Sequence, residues 1–268
     1  MTDIKWLYGA IGGDIIGSVY EFNNVKTKDF PLFTPESTFT DDTIMTIATA
    51  DAIMHGGDFA AAYRKWGRKY MQPTGGYGAA FRKWLESDNP QPYNSWGNGA
   101  AMRVSPVAWV FNDMKEILIN ARRSAECTHD HPEGIRGAQA TACAVFLAQR
   151  FGYTKSSIAR YLLNHMGINA YTPLDDIRKT YQFSERAVDT VPVAIRAFLE
   201  STDYVDAIRN AVSIGGDSDT IAAITGSVAL AYYQRIPDHI VDEIEKRLPR
   251  EMKEIVEEFD TYCNNMEE

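Results

Sequence analysis

The sequence predicts an all-α protein, on three observations. Apolar residues recur at three- and four-residue spacing along most of the chain, the pattern of helices with a buried face. Alternating runs bounded by turn signals, which mark half-buried strands, are almost absent. Proline, glycine and asparagine gather between the periodic segments, as in Gln72-Pro73-Thr74-Gly75-Gly76 and Ser87-Asp88-Asn89-Pro90-Gln91-Pro92, where they act as helix breakers. No linker is long or low enough in complexity to mark a domain boundary, and no segment recurs at a solenoid period. Residues 1–268 are therefore read as one domain.

The first helix is expected over 4–20. It carries Gly9, Gly13 and Gly17 at four-residue spacing, each costing about 1 kcal/mol against alanine in a helix interior. Close approach of a neighbouring helix is the usual compensation. The GxGxxG spacing is missing and no strand precedes these glycines, which excludes a dinucleotide fingerprint. A helix over 42–54 opens on Thr40-Asp41-Asp42, and 59–70 follows it. The 72–76 turn separates that helix from one over 77–86, which the 87–92 turn ends. Asn98 opens a helix over 98–111, and periodicity continues through 114–127. Beyond Thr128-His129-Asp130-His131-Pro132 come helices over 134–151, 158–164, 189–200 and 204–213. Asp217-Ser218-Asp219-Thr220 opens an apolar helix over 219–234, and 238–246 and 252–262 close the order.

Composition narrows the function classes. With 268 residues, 45% hydrophobic and 24% charged, the chain has an ordinary globular balance and enough length for a large core. The net charge of -9 and the lack of any Lys/Arg-rich run argue against nucleic acid as a partner. Asp14 and four glycines interrupt the apolar N-terminal stretch, so it does not read as a signal peptide. No run reaches about 18 apolar residues, so no membrane span is expected. Cys127, Cys143 and Cys263 lack CxxC spacing and read as reduced, mostly buried thiols of a cytoplasmic protein.

Two oxygen-rich clusters carry the chemistry: Thr40-Asp41-Asp42 and Asp217-Ser218-Asp219-Thr220. Helix capping explains part of each, because Ser, Thr and Asp oxygens accept the free amides of a first turn. Thr40 or Asp41 would cap 42–54, and Asp217 would cap 221–234. One cap needs one side chain, however, and each cluster supplies at least three. If the clusters meet, four carboxylates and two threonine hydroxyls share one site. Such charge crowding is costly at low dielectric, and hard divalent cations relieve it, since Mg²⁺ and Mn²⁺ prefer oxygen ligands. Cys127, His129 and His131 lack a fourth ligand at standard spacing, which argues against zinc.

Four segments together resemble one family: Gly13-Asp14-Ile15-Ile16-Gly17-Ser18-Val19-Tyr20-Glu21, Phe39-Thr40-Asp41-Asp42-Thr43, Trp96-Gly97-Asn98-Gly99-Ala100-Ala101-Met102-Arg103 and Ile214-Gly215-Gly216-Asp217-Ser218-Asp219-Thr220. The chain resembles the ADP-ribosylglycohydrolase family, which includes dinitrogenase reductase-activating glycohydrolase and the ADP-ribosyl-acceptor hydrolases. The resemblance implies an orthogonal all-α bundle and a binuclear Mg²⁺ (or Mn²⁺) centre. It also implies hydrolysis of the bond joining ADP-ribose to an acceptor, on an ADP-ribosylated protein or a small ADP-ribosyl compound. Its metal ligands would be Thr40, Asp41, Asp42, Asp217, Asp219 and Thr220, the set already reached from charge. Its ligand-binding residues would be Tyr93, Ser95, Trp96, Gly97, Asn98, Gly99, His129 and Gly215. The glycines before a helix are expected to expose amides to a diphosphate, and Trp96 or Tyr93 to offer a flat face to a base or ribose. Glu21 and Asp42 are the candidate catalytic carboxylates. Arg103 is read as structural, paired with a protein carboxylate. A monomer is the expected working unit. The rival readings are a non-catalytic ADP-ribose-binding protein on the same fold and a metal-dependent phosphoesterase acting on the diphosphate.

Overall fold

The computed structural model describes residues 5–150 and 152–266. Ile4 and Phe151, expected as helix ends, lie outside the described residues. Helices α1 (Tyr8–Gly17), α2 (Asp41–Met54), α3 (Phe59–Lys69) and α4 (Ala79–Glu86) come first. Two short helices follow, α5 (Gly99–Met102) and α6 (Ser105–Val110), then α7 (Met114–Glu126), α8 (Pro132–Ala148) and α9 (Lys155–Tyr161). A π-helical turn, Leu162–Met166, extends α9. The chain ends with α10 (Leu174–Thr180), α11 (Ala187–Leu199), α12 (Tyr204–Val212), α13 (Ser218–Tyr233), α14 (Asp238–Arg247) and α15 (Arg250–Met266). Among the described residues there is no named strand; the only ladder pairs are isolated bridges, Thr40 with Thr74 and Gly97 with Arg186. No helix among them is long and apolar enough to cross a membrane.

The expected helix over 98–111 is two helices, broken at Arg103-Val104. Pro106 lies in the first turn of α6; it lacks an amide and its ring would clash with the carbonyl of Met102 in a continuous helix. The first helix is shorter than 4–20, because the chain turns at Ser18–Tyr20 after α1. Helix α10 was not expected. Its marks are Pro173 before it, Asp175 and Asp176 in its first turn, and Arg178 and Lys179 in its last, a charge order that suits the helix dipole.

Helix α13 is the axis of the molecule. It is buried from Ser218 to Ala231, as a helix surrounded on all sides must be. Helix α1, buried over its whole length, runs along it, α8, α11 and α12 pack around it, and α2 meets both α1 and α13. The α1–α13 contact is backbone to backbone: a Cβ on Gly13 would lie 2.1 Å from the Ala222 carbonyl oxygen, and one on Gly17 would lie 2.5 Å from Asp219 Cα. The glycine spacing thus has the expected function. It brings the end of α1, and Glu21 beyond it, against the start of α13.

Candidate active site

The starts of α2 and α13 meet. A cavity of about 460 Å³ lies over them, lined by Glu21, Asp41, Asp42, Asp217, Asp219 and Thr220 on one side, and by Tyr93, Ser95, Trp96, Gly97, Asn98, Gly99 and His129 on the other. Two residues of the expected set are not in this lining. Thr40 lies beneath it. Gly215 takes a positive φ of 70°, and a Cβ there would press on Lys26 and Asn24 instead.

Asp14, quoted in the first resembling segment but given no role in the site, organises the α2 side. It is fully buried. Its Oδ2 accepts the Thr40 amide at 3.0 Å and the Thr43 amide at 3.1 Å, and also the Thr43 hydroxyl. Its Oδ1 accepts the Thr40 hydroxyl at 2.7 Å. Thr40 in turn caps α2, accepting the Asp42 amide at 3.2 Å. The capping reading therefore holds for Thr40, and the cap aims Asp41 and Asp42 into the cavity. Burial lifts the Asp14 carboxyl to about 6 against these four hydrogen bonds, which act to lower it.

Asp217 occupies the cap position of α13 without making a side-chain cap bond. Its Oδ2 accepts the Asn98 amide Nδ2 at 2.7 Å, and that amide also donates to Thr190 at 3.1 Å. Asn98 thus ties the glycine loop to the acids. The Thr220 hydroxyl donates to Asp42 Oδ2 at 3.1 Å, which joins the two clusters directly. Asp42 Oδ1 is buried with no hydrogen-bond partner among the described residues. Carboxylate oxygens of Glu21, Asp217 and Asp219 lie within 4.8 Å of one another. Burial, then the charges of neighbouring acids, pushes Asp41, Asp42 and Asp219 well above the ordinary carboxylate range. The same causes, with Asp217 the largest of the charges, push Glu21 up to about 8. Unpaired buried carboxylate oxygen and mutual repulsion are what an oxygen-preferring divalent cation removes, so this donor set fits such ions.

The glycine loop offers fewer free amides than expected. Gly97 donates to Ser95 Oγ at 3.1 Å and Asn98 to the Glu185 carbonyl at 2.7 Å. Its glycines instead permit close approach: a Cβ on Gly99 would lie 2.9 Å from His129 Nε2. Trp96 is 46% exposed at the rim, with the Arg186 guanidinium 5.7 Å over its ring. His131 caps α8, its Nδ1 accepting the Glu133 amide at 3.1 Å, and no metal-ligand group among the described residues includes it, Cys127 or His129. Arg103 is 1% exposed but, among the described residues, pairs with no carboxylate, contrary to expectation. Its Nη2 donates to the Ser124 carbonyl at 2.9 Å and to Thr128 Oγ1 at 2.8 Å, and its guanidinium lies 3.9 Å over the Tyr63 ring.

Known proteins resemble this chain. The chain is 26% identical over 311 residues to ADP-ribosylhydrolase ARH3 of Mus musculus, covering 87% of this chain and 84% of that one. It is 27% identical over 258 residues to ADP-ribosylarginine hydrolase Tri1 of Pseudomonas putida, covering 85% and 69%. A solved structure titled ADP-ribosylglycohydrolase-related protein complex superposes with a TM-score of 0.75 at 24% identity, over 98% of this chain and 96% of that one; it speaks for the fold. The ADP-ribosylglycohydrolase family model matches residues 4–267, and the chain belongs to that family.

Proposed function

We propose that this protein is a hydrolase that cleaves the glycosidic bond between ADP-ribose and an acceptor on a protein side chain or small molecule, with two Mg²⁺ (or Mn²⁺) held by Asp41, Asp42, Asp217, Asp219, Thr220 and Thr40. The observation that carries this reading is the meeting of two acid clusters, tied through Thr220 and Asp42, at one wall of a cavity whose other wall is the Trp96–Gly99 loop. Hard divalent cations would supply neutralisation of the acids and Lewis acidity toward a substrate oxygen. The rest falls to the chain. Trp96 and Tyr93 offer flat surfaces to the base or ribose. The glycines let the diphosphate lie close to the loop. Asn98 and Thr220 fix the rotamers of Asp217 and Asp42.

Glycoside cleavage passes through an oxocarbenium-like transition state and needs acid or base help. Glu21, held at the edge of the acids with a raised pKa of about 8, is suited to exchanging a proton with water or the leaving group; Asp42 is the other candidate. The test is a panel of ADP-ribosyl-serine, ADP-ribosyl-arginine and small ADP-ribosyl substrates, followed by mass spectrometry. Release of ADP-ribose with Mg²⁺, its loss in EDTA, and inactivity of a folded Asp219→Ala variant are expected. Glu21→Gln should lower kcat by about 10²–10⁴, the usual range for loss of acid or base help. AMP as product would make the protein a phosphoesterase, and binding without turnover would make it a binder.

A further inference from the structure

His129 closes one side of the cavity, and three buried residues determine which of its nitrogens carries the proton. Its Nδ1 lies 2.8 Å from Thr128 Oγ1, which also receives Arg103 Nη2 at 2.8 Å. Arg103, Thr128 and His129 are 1%, 0% and 6% exposed. Thr128 has one hydroxyl proton and two places to send it. The Ala125 carbonyl, 3.3 Å away, already accepts the amides of Thr128 at 3.0 Å and His129 at 2.7 Å. His129 Nδ1 is nearer and has no other donor among the described residues. A ring proton on Nδ1 would also point its positive end toward the guanidinium, whereas a lone pair there is attracted to it. Both facts make the hydroxyl donate to Nδ1, whose lone pair accepts, and leave the ring proton on Nε2. His129 Nε2 hydrogen-bonds to no described residue and faces the Gly99 side of the loop. The Tyr93 hydroxyl also lies beside Thr128; where it donates it occupies the threonine's second lone pair and leaves the same outcome, and the tautomer measurement below decides against the case in which it accepts.

We propose that Arg103, acting through the Thr128 hydroxyl, is a positioning residue that holds His129 as its Nε2–H tautomer and so presents a hydrogen-bond donor to ADP-ribose at the Gly97-Asn98-Gly99 loop. The ligand in this inference rests on the function proposed above; the tautomer does not. Arg103 is thereby accounted for as a buried cation that pairs with no carboxylate among the described residues. Burial, and then the arginine's charge, keeps the imidazole far below its ordinary pKa, so one neutral tautomer is the relevant state.

The tautomer is read from histidine ¹⁵N chemical shifts of the full chain, with His129 assigned by a His129→Asn variant. The wild type should show an unprotonated Nδ1 and a protonated Nε2. Thr128→Val, which keeps the shape and removes the hydroxyl, should mix or invert the pattern, and Thr128→Ser should restore it. ADP-ribose titrated calorimetrically should bind Thr128→Val about 3- to 10-fold more weakly, the loss expected for one neutral hydrogen bond, and Thr128→Ser as tightly as wild type. A wild-type Nδ1–H signal, or an unchanged tautomer in Thr128→Val, overturns the proposal. A wild type that shows the Nε2–H tautomer but binds no ADP-ribose upholds the relay and overturns the proposed function instead.

Discussion

The residue on which the site rests is one carboxylate that no motif of acids announces. Asp14 accepts four hydrogen bonds from Thr40 and Thr43 and so holds the cap from which Asp41 and Asp42 project. Asp14→Asn exchanges one acceptor oxygen for an NH₂ group that faces donors. It should destabilise the protein by about 2–3 kcal/mol, from lost charge-assisted bonds and a buried donor left unsatisfied. Urea unfolding measures this; a change under about 0.5 kcal/mol would show that the threonines do not depend on it. The acids at 41, 42, 217 and 219 were legible in the sequence because caps cannot use so many carboxylates. Asp14 was not, because its partners stand 26 and 29 residues away. A signal was present: a lone acid in an apolar, glycine-lined helix must find buried donors or remain costly. Arg103 was misread for the complementary reason. Carbonyl and hydroxyl oxygens satisfy its buried Nη2 as well as a carboxylate would, and no sequence pattern distinguishes the two.

At the scale of elements, helix periodicity and glycine spacing were legible, and breaks made by a single proline were less so. The α1–α13 contact places Glu21 beside Asp217 and Asp219, so its closeness is a functional dimension of the fold. Gly13→Ala puts a methyl 2.1 Å from a backbone oxygen. Neither helix can yield without moving the acids at its end. We expect a loss of about 1–3 kcal/mol or more, the range for overpacking a core, with turnover falling alongside stability. Gly78→Ala is the control, since a Cβ there meets nothing within 4 Å. Thermal unfolding of the two variants side by side decides; equal melting temperatures would mean that α1 and α13 adjust freely and that the glycines serve another purpose. Helix α10 escaped the periodic reading because it is seven residues long with only Leu174 and Ile177 buried, too short for a repeating apolar face to declare itself.

For the whole molecule, the acid cluster makes stability depend on pH and on divalent cations together. Glu21 is raised from 4.5 to about 8, and Asp41, Asp42 and Asp219 are raised well above 3.8. An acid with a raised pKa binds its proton more tightly in the folded chain than in the unfolded one. Its contribution is therefore full below the unfolded pKa and is lost as pH rises through the folded value. Acids with lowered values, Asp51, Asp206, Glu243 and Glu251, act with the opposite sign, but only at and below the ordinary carboxylate range. His129, lowered well below 6.5, also opposes the trend, and its effect is complete by about pH 6.5, where the unfolded histidine has lost half its proton, and little remains above it. His55, raised by Asp51 and Glu258, adds to the fall, yet it sits on the surface between α2 and α15, away from the cavity. In EDTA the melting temperature should thus drop from pH 6.5 to pH 8.5. Mg²⁺ replaces the lost protons with a cation and should restore it, by about 2.7 kcal/mol at a concentration 100 times its dissociation constant. The restoration should be larger at pH 8.5 than at pH 6.5, because protons and the ion compete for the same oxygens. His55 cannot produce that difference, since its neutral form carries no charge for the ion to replace. Calorimetric scans at the two pH values, with EDTA and with Mg²⁺, provide the comparison. Equal stabilisation by Mg²⁺ at both would mean that the ion binds away from these titrating oxygens, and none at either that the acids are satisfied without a cation; each result would overturn the two-ion centre.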